Sequence, residues 1–313
     1  MPELNALSPS RANDFMQCPL LFRFRAIDKL PEPPSLAALK GTMVHSALEN
    51  LFELASTERT QEAAVALLEP AWAELVGKDP AMLELFADQR EFESWLASAR
   101  ELVASYFTLE YPQALEPAER EVYVETTLDF GLRIRGYIDR LDIAPTGDLR
   151  VVDYKTGKAP PPAFSAKALF QMKFYALAIF RIRGVLPHTL QLFYLGSKDV
   201  IRYRPTEADM RVTEQKIESI WNEIKAAAES GNWRPQKSKL CDWCHYKPLC
   251  PAWGGTPPEP PEVTIGSAAS SESEPIGTDL PGTGAAGPEV DLVDARSEAP
   301  ADNRPEAEMS ATR

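Results

Sequence analysis

Apolar positions follow a helical period through the first third of the chain and switch to strand-like alternation near residue 118. Residues 8–27 and 37–56 read as helices. The second carries an amphipathic run, Val44, Ala47, Leu48, Leu51 and Phe52, at helical spacing. Further helices are expected over 60–110, broken at Lys78-Asp79-Pro80. Segments 118–127, 131–143 and 149–155 are rich in β-branched residues and read as strands. A helix is expected over 164–183, after a proline run at 160–162, then strands at 188–195 and 199–204, and a long helix at 206–230. Helices in front and an αβ pattern behind predict an α/β fold: a mixed central sheet with helices on both faces and a helical N-terminal part.

The chemistry concentrates where two of these strands meet. Gly136-Tyr-Ile-Asp139-Arg140 and Val151-Val-Asp153-Tyr154-Lys155 flank Ala144-Pro-Thr146-Gly-Asp148, a stretch with turn composition. A turn centred on Thr146 makes Asp139 and Asp153 cross-strand partners, with Cα atoms roughly 5 Å apart. Two bare carboxylates that close repel unless a cation lies between them. Lys155 shares the face of Asp153 by the period of two. Two acids and an amine beside a divalent cation suit phosphodiester cleavage. The plainer reading is a surface hairpin whose charged residues face water.

Composition divides the chain. From Gly254 onward it is Pro, Gly, Ser, Ala and acid without an aromatic residue; twelve Asp/Glu against three Arg give that stretch −9 of the total −13, leaving −4 for residues 1–253. One folded domain over 1–253 and an acidic, disordered tail over 254–313 are therefore expected. No apolar leader or membrane-length stretch is apparent, so a cytoplasmic protein with no membrane association is expected. The four cysteines are Cys18, Cys241, Cys244 and Cys250. The last three form C-x2-C-x5-C, a spacing that suits a metal or a cluster, with Cys18 as the distant fourth ligand. Spacing alone leaves a [4Fe–4S] cluster and Zn2+ comparable.

Taken together, these motifs resemble the RecB-like, AddB-type exonuclease branch of the PD-(D/E)XK nuclease superfamily, over nearly all of residues 7–253. Leu7-Ser-Pro-Ser10 with Cys18-Pro19 resembles the N-terminal cysteine segment. Gly41-Thr-Met-Val-His45 resembles the G-x-x-x-H helix, and Gln171-Met-Lys-Phe-Tyr175 the supporting Q-x-x-x-Y helix. The resemblance implies a restriction-endonuclease-like core closed by a C-terminal Fe–S cysteine loop, with the [4Fe–4S] cluster favoured over Zn2+ on Cys18, Cys241, Cys244 and Cys250. It implies Mg2+ or Mn2+ held by His45, Asp139, Asp153 and the carbonyl of Tyr154, and catalysis by Asp139, Asp153 and Lys155 with Gln171 and Tyr175 in support. A further glutamate is expected near the start of the first strand, where Glu119 and Glu121 both fall and Glu119 is favoured.

The expected function is a metal-dependent DNA exonuclease acting on single strands or ends in repair or recombination. The alternative is a non-catalytic nucleic-acid-binding subunit of a helicase–nuclease or CRISPR adaptation complex. No G-x-x-x-x-G-K-[S/T] motif is present, so any helicase would be a separate subunit. Trp233, Arg234, Lys237, Lys239, Trp243 and Lys247 near the cysteines, with Arg11, Arg23 and Arg25 near Cys18, could track a single strand; they could equally be tryptophans packed in a core beside solvated amines. Arg140 is a candidate partner for a site carboxylate or a phosphate.

Overall fold

The computed structural model describes residues 3–161 and 166–266. Two short strands, β1 (Glu3–Leu4) and β2 (Ala6–Leu7), lead into α1 (Pro9–Gln17) and α2 (Pro19–Phe22). The single helix expected over 8–27 is thus interrupted. Cys18 is extended at φ −166° and Pro19 opens the next turn, where its missing N–H costs nothing. The helices α3 (Leu36–Leu51), α4 (Gln61–Ala66), α5 (Leu68–Lys78) and α6 (Gln89–Tyr106) follow. Asp79 ends α5 in an extended conformation ahead of Pro80, at the expected break.

Next come β3 (Glu119–Thr127), β4 (Arg133–Ile143), β5 (Leu149–Lys155), α7 (Ala166–Arg183), β6 (Thr189–Tyr194), β7 (Asp199–Tyr203) and α8 (Glu207–Ser230). The main sheet has six strands and is mixed. β5 and β6 run parallel, as do β2 and β4, while the other neighbours are antiparallel. A last strand, β8 (Thr264–Ile265), pairs in parallel with β1. The remainder of the expected acidic tail, 267–313, lies outside the described residues. Among the described residues no helix is long and apolar enough to cross a membrane.

The sheet separates two cores. One face packs on α1, α2, α7 and α8 through Ile134, Ile138, Val151 and Leu192; the other packs on α3 to α6 through Val152, Tyr154 and Phe193. Adjacent residues Val151 and Val152 lie in different cores, as the period of two requires of a central strand covered on both sides.

One carboxylate ties three elements behind the sheet. Asp209, in the first turn of α8, completes a capping box with Thr206. It also accepts from Lys173 Nζ of α7 at 2.6 Å and from Tyr203 Oη of β7 at 2.8 Å. Burial raises the carboxyl's pKa, but the Lys173, Thr206 and Tyr203 donors overcome this and hold it below the usual carboxylate range. An aspartate whose folded pKa is depressed stabilises above its unfolded pKa, and that contribution is lost as pH falls through the folded value. Asp209→Asn is therefore expected to cost about 1–2 kcal/mol at neutral pH. The gap from wild type should close below about pH 4. Urea unfolding at several pH values measures this; a pH-independent gap would mean that shape, not charge, is what Asp209 supplies.

Candidate active site

The two edges of β4 are used unequally, and this creates the site. β3 pairs along one edge, from Thr127↔Arg133 to Glu119↔Leu141. On the other edge β2 takes Arg133 and Ile134, and β5 takes Arg140 to Ile143. Among the described residues no strand pairs with residues 135–139 on that side. The β4–β5 register is centred on Thr146, as its turn chemistry predicts, with Arg140 opposite Val152 and Ile143 opposite Leu149. Asp139 and Asp153 are the next positions in this register, but the ladder stops before them. The Asp139 carboxylate instead accepts the Tyr154 backbone N–H at 2.7 Å.

His45 reaches the same point from α3, with Nδ1 3.4 Å from Asp139 Oδ2. Glu121 completes a trio: donor atoms of His45, Glu121 and Asp139 lie within 4.8 Å of one another. The β3–β4 pairs place Glu121 across from Asp139, between Arg120↔Arg140 and Val122↔Ile138. Glu121 has φ 44°, which is strained for a residue with a side chain and re-aims it. Glu119, favoured from sequence, pairs instead with Arg183. The signal that separates the two glutamates is hairpin register: a β3–β4 turn centred on Phe130 puts 121, not 119, opposite 139.

Asp153 is buried and points to α7. Its Oδ1 accepts from Gln171 Nε2 at 2.9 Å, and its Oδ2 lies 2.6 Å from Lys155 Nζ. Lys155 Nζ donates to Gln171 Oε1 at 3.0 Å, and Gln171 Nε2 to Tyr175 Oη at 3.4 Å. The fold thus brings His45, Asp139, Asp153, Tyr154, Lys155, Gln171 and Tyr175 together. Gly136 is required here, since a Cβ would sit 2.8 Å from the Tyr175 ring. Gly136→Ala is expected to cost about 1–3 kcal/mol by overpacking, read by urea unfolding.

The electrostatics favour a cation. Burial, then the charge of Asp139, pushes the Glu121 carboxyl up to about 7. Burial also raises Asp153, with Asp139 adding to the rise and Lys155 opposing it. Burial lowers the pKa of His45, but its hydrogen bond and charge interaction with Asp139 raise it further than burial lowers it. Two carboxylates and an imidazole within reach of one another, with the Glu121 carboxyl raised by burial and by the charge of Asp139, fit a divalent ion. His45 and Glu121 border an open cleft of about 480 Å3 along α3, lined also by Gly41, Thr42 and Glu49.

Arg140 does not face this site. Its guanidinium is fully buried in the α3–α6 core, over the Phe52 and Tyr154 rings. There it donates to Tyr154 Oη at 2.7 Å, to Glu110 at 2.8 and 3.0 Å, to Tyr106 Oη at 3.2 Å and to Asp142 at 3.2 Å.

The expected iron–sulfur cysteine loop, and the zinc site that rivalled it, must be corrected. Among the described residues the one group of three or more ligating side chains converging within 4.8 Å is His45, Glu121 and Asp139, and no cysteine belongs to such a group. Cys18, Cys241, Cys244 and Cys250 are free thiols that line a shared apolar cavity. Backbone N–H groups of Gln236 and Ser238 approach the Cys18 and Cys241 sulfurs at 3.4 Å, and burial raises the Cys244 thiol. The two ends of the domain are joined by packing. Phe22 stacks on Trp233 with centroids 6.0 Å apart, Phe24 lies 5.2 Å from Tyr246, and Tyr246 Oη donates to the Leu30 carbonyl at 3.0 Å. The nearby arginines are engaged too, Arg23 with Asp28 and Arg25 with Asp14 and Glu32. Trp243 stays exposed, and Lys237 and Lys247 lie over the Trp253 ring at 4.8 and 4.2 Å.

Comparison with known proteins agrees with this geometry. Residues 6–251 match the PD-(D/E)XK nuclease superfamily. The chain is 27% identical over 267 residues to the Gene 69 protein of Mycobacterium phage D29, covering 77% of this chain and 96% of that one. It is 26% identical over 290 residues to the Gene 69 protein of Mycobacterium phage L5, covering 79% and 96%. Among solved structures it shares its fold with a protein from Eubacterium rectale provisionally described as an exonuclease, at TM-score 0.52 and 16% identity over 77% of this chain and 88% of that one. The match is to the superfamily as a whole. The narrower RecB-like, AddB-type assignment, which drew on the active-site motifs and included an iron–sulfur staple, is withdrawn; the match supports the superfamily. With a match spanning the whole sheet and a His–Glu–Asp centre in its open edge, the chain belongs to the PD-(D/E)XK nuclease superfamily and is an enzyme of the nuclease type.

Proposed function

We propose that this chain is a divalent-metal-dependent deoxyribonuclease that cleaves phosphodiester bonds of single-stranded DNA or DNA ends, serving repair or recombination. The convergence of His45, Glu121 and Asp139 within 4.8 Å supports this reading most directly. In this reading His45, Asp139 and Asp153 with the Tyr154 carbonyl hold Mg2+ or Mn2+, and Glu121 joins them. When bound, such an ion supplies Lewis acidity to a phosphate oxygen and lowers the pKa of a water. Lys155, anchored between Asp153 and Gln171, orients the attacking water and offers it a positive charge. Gln171 bridges Lys155, Asp153 and Tyr175, so it acts as a positioning residue. The Tyr154 N–H keeps the Asp139 carboxylate turned toward His45. Any unwinding of duplex would come from a separate motor polypeptide, because the chain carries no nucleotide-binding G-x-x-x-x-G-K-[S/T] loop.

The test is incubation with single- and double-stranded DNA labelled at each end in turn, with Mg2+, Mn2+ or EDTA. Metal-dependent shortening of the single strand is expected, and the labels report polarity. Absence of cleavage of either substrate with both metals would overturn the reading.

A further inference from the structure

On β4, Ile134 and Ile138 are buried against α1 and α7, and Gly136 faces Tyr175 and Pro9. The intervening Arg135 and Tyr137 therefore turn to the opposite face of the β3–β4 ribbon. Tyr123 of β3 is the direct cross-strand partner of Tyr137, and the two rings lie 5.2 Å apart at 52°. Side chains from the rest of the molecule leave the pair largely uncovered: Tyr137 is 58% and Tyr123 46% exposed. Two neighbouring aromatic rings held open to water are costly for folding alone, since a β-ribbon can present polar residues there instead.

Their place along the ribbon shows what they suit. Tyr137 is two residues from Asp139 and Tyr123 two residues from Glu121, so the rings begin about 7 Å of strand from the two carboxylates. The backbone break at Glu121 separates the two zones: beyond it the ribbon points acids at His45, and before it the ribbon points rings at solvent. Arg135 and Arg133 extend the same strand away from the site. Glu125 on that surface is engaged by Tyr123 Oη at 2.5 Å and by Arg133 at 3.5 Å.

We infer that Tyr123 and Tyr137 form a base-stacking platform for single-stranded DNA, placing the nucleotides next to the scissile phosphate, with Arg135 and Arg133 on the phosphates beyond. This rests on the nuclease reading above and adds the substrate's strandedness. Aromatic rings stack on any base whose face is free, whereas the bases of a duplex already cover one another. The platform therefore selects unpaired strands without reading sequence. It is continuous with the metal-binding trio, and the two arginines give it the charge a phosphate chain requires.

The test is fluorescence anisotropy of a labelled single-stranded 12-mer in EDTA, so that binding is read apart from cleavage. Tyr123→Ala and Tyr137→Ala are each expected to weaken binding about tenfold, in line with stacking losses elsewhere. The Phe variants at the same positions should bind like wild type, because the ring is what matters. A 12-mer with one abasic nucleotide should bind wild type more weakly at a single position of the scan and bind Tyr137→Ala equally well with or without it. Melting curves check that the Ala variants fold. If folded Ala variants bind the intact 12-mer as tightly as wild type, the platform is wrong, while cleavage by wild type leaves the nuclease reading standing. If wild type cleaves nothing with either metal, the nuclease reading fails, and the anisotropy series still decides the platform. A wild-type dimer that Tyr137→Ala turns into a monomer would assign the face to a second copy of the chain and overturn the inference.

Discussion

Asp139→Asn is expected to reduce cleavage of a single-stranded oligonucleotide by more than about 100-fold, beyond the usual loss for an outer-shell partner of a metal ligand. The amide keeps an oxygen that can accept the Tyr154 N–H, now 2.7 Å from Asp139 Oδ2, so the strand geometry should survive. What disappears is the negative charge facing His45 and Glu121. Burial is the main cause of the Glu121 carboxyl's rise to about 7, and removing the Asp139 charge relieves the repulsion that adds to it, so the melting temperature should hold steady or rise slightly. Falling activity together with unchanged or higher stability identifies a functional carboxylate and distinguishes it from a structural one. Titration with Mn2+ by calorimetry should show weakened binding. Lys155→Ala gives the contrasting result: it removes none of the proposed ligands, so metal binding should persist while the rate falls. Normal turnover by Asp139→Asn would place the chemistry elsewhere.

The largest stability effect should come from the next residue of the same strand. Arg140 is fully buried, and with Arg150 it balances Glu110 and Asp142. Burial lowers its pKa, but Tyr154, Tyr106 and Glu110 more than compensate, so the guanidinium remains charged. Arg140→Ala leaves two acids facing one partly exposed arginine and strips donors from the hydroxyls of Tyr106 and Tyr154. A cost of about 3–5 kcal/mol is expected, read as a shift of the urea midpoint at constant m-value. Arg140→Ala combined with Glu110→Gln should cost less than the sum of the two single changes, because the second removes an acid the first has orphaned. Additive costs would mean that Arg140 stabilises through packing on Phe52 and Tyr154 and not through charge.

This pairing also shows where sequence reading stops. Arg140 adjoins Asp139 and was a natural candidate for the site, and strand alternation would put it with Ile138 on the α1–α7 face; it turns instead into the α3–α6 core beside Phe52 and Tyr154, and only Glu110, brought in from beyond α6, reveals its partner. Glu119 and Glu121 pose a similar choice. They differ by one period of the strand, and the decision depends on the β3–β4 register and on the positive φ of Glu121, neither of which composition reports. The cysteines failed for a related reason. The x2 and x5 spacings describe local loops, whereas a ligand set depends on where sulfurs separated by the whole domain finally point; here Phe22, Trp233, Phe24 and Tyr246 do the joining.

The sequence by itself determined the elements from β3 to α8 to within about two residues, and the Thr146-centred register. These follow from local periodicity and from turn residues that restrict the backbone, both of which act over a few residues. The grouping of Gln171 and Tyr175 with Asp139, Asp153 and Lys155 was implied by the family resemblance and not by spacing. The tertiary structure alone decided the open edge of β4, the choice of Glu121 over Glu119 beside His45 and Asp139, the burial of Arg140 and the exposure of Tyr123 and Tyr137. Each of these depends on which distant element covers which face, a matter of packing between segments that no local pattern encodes.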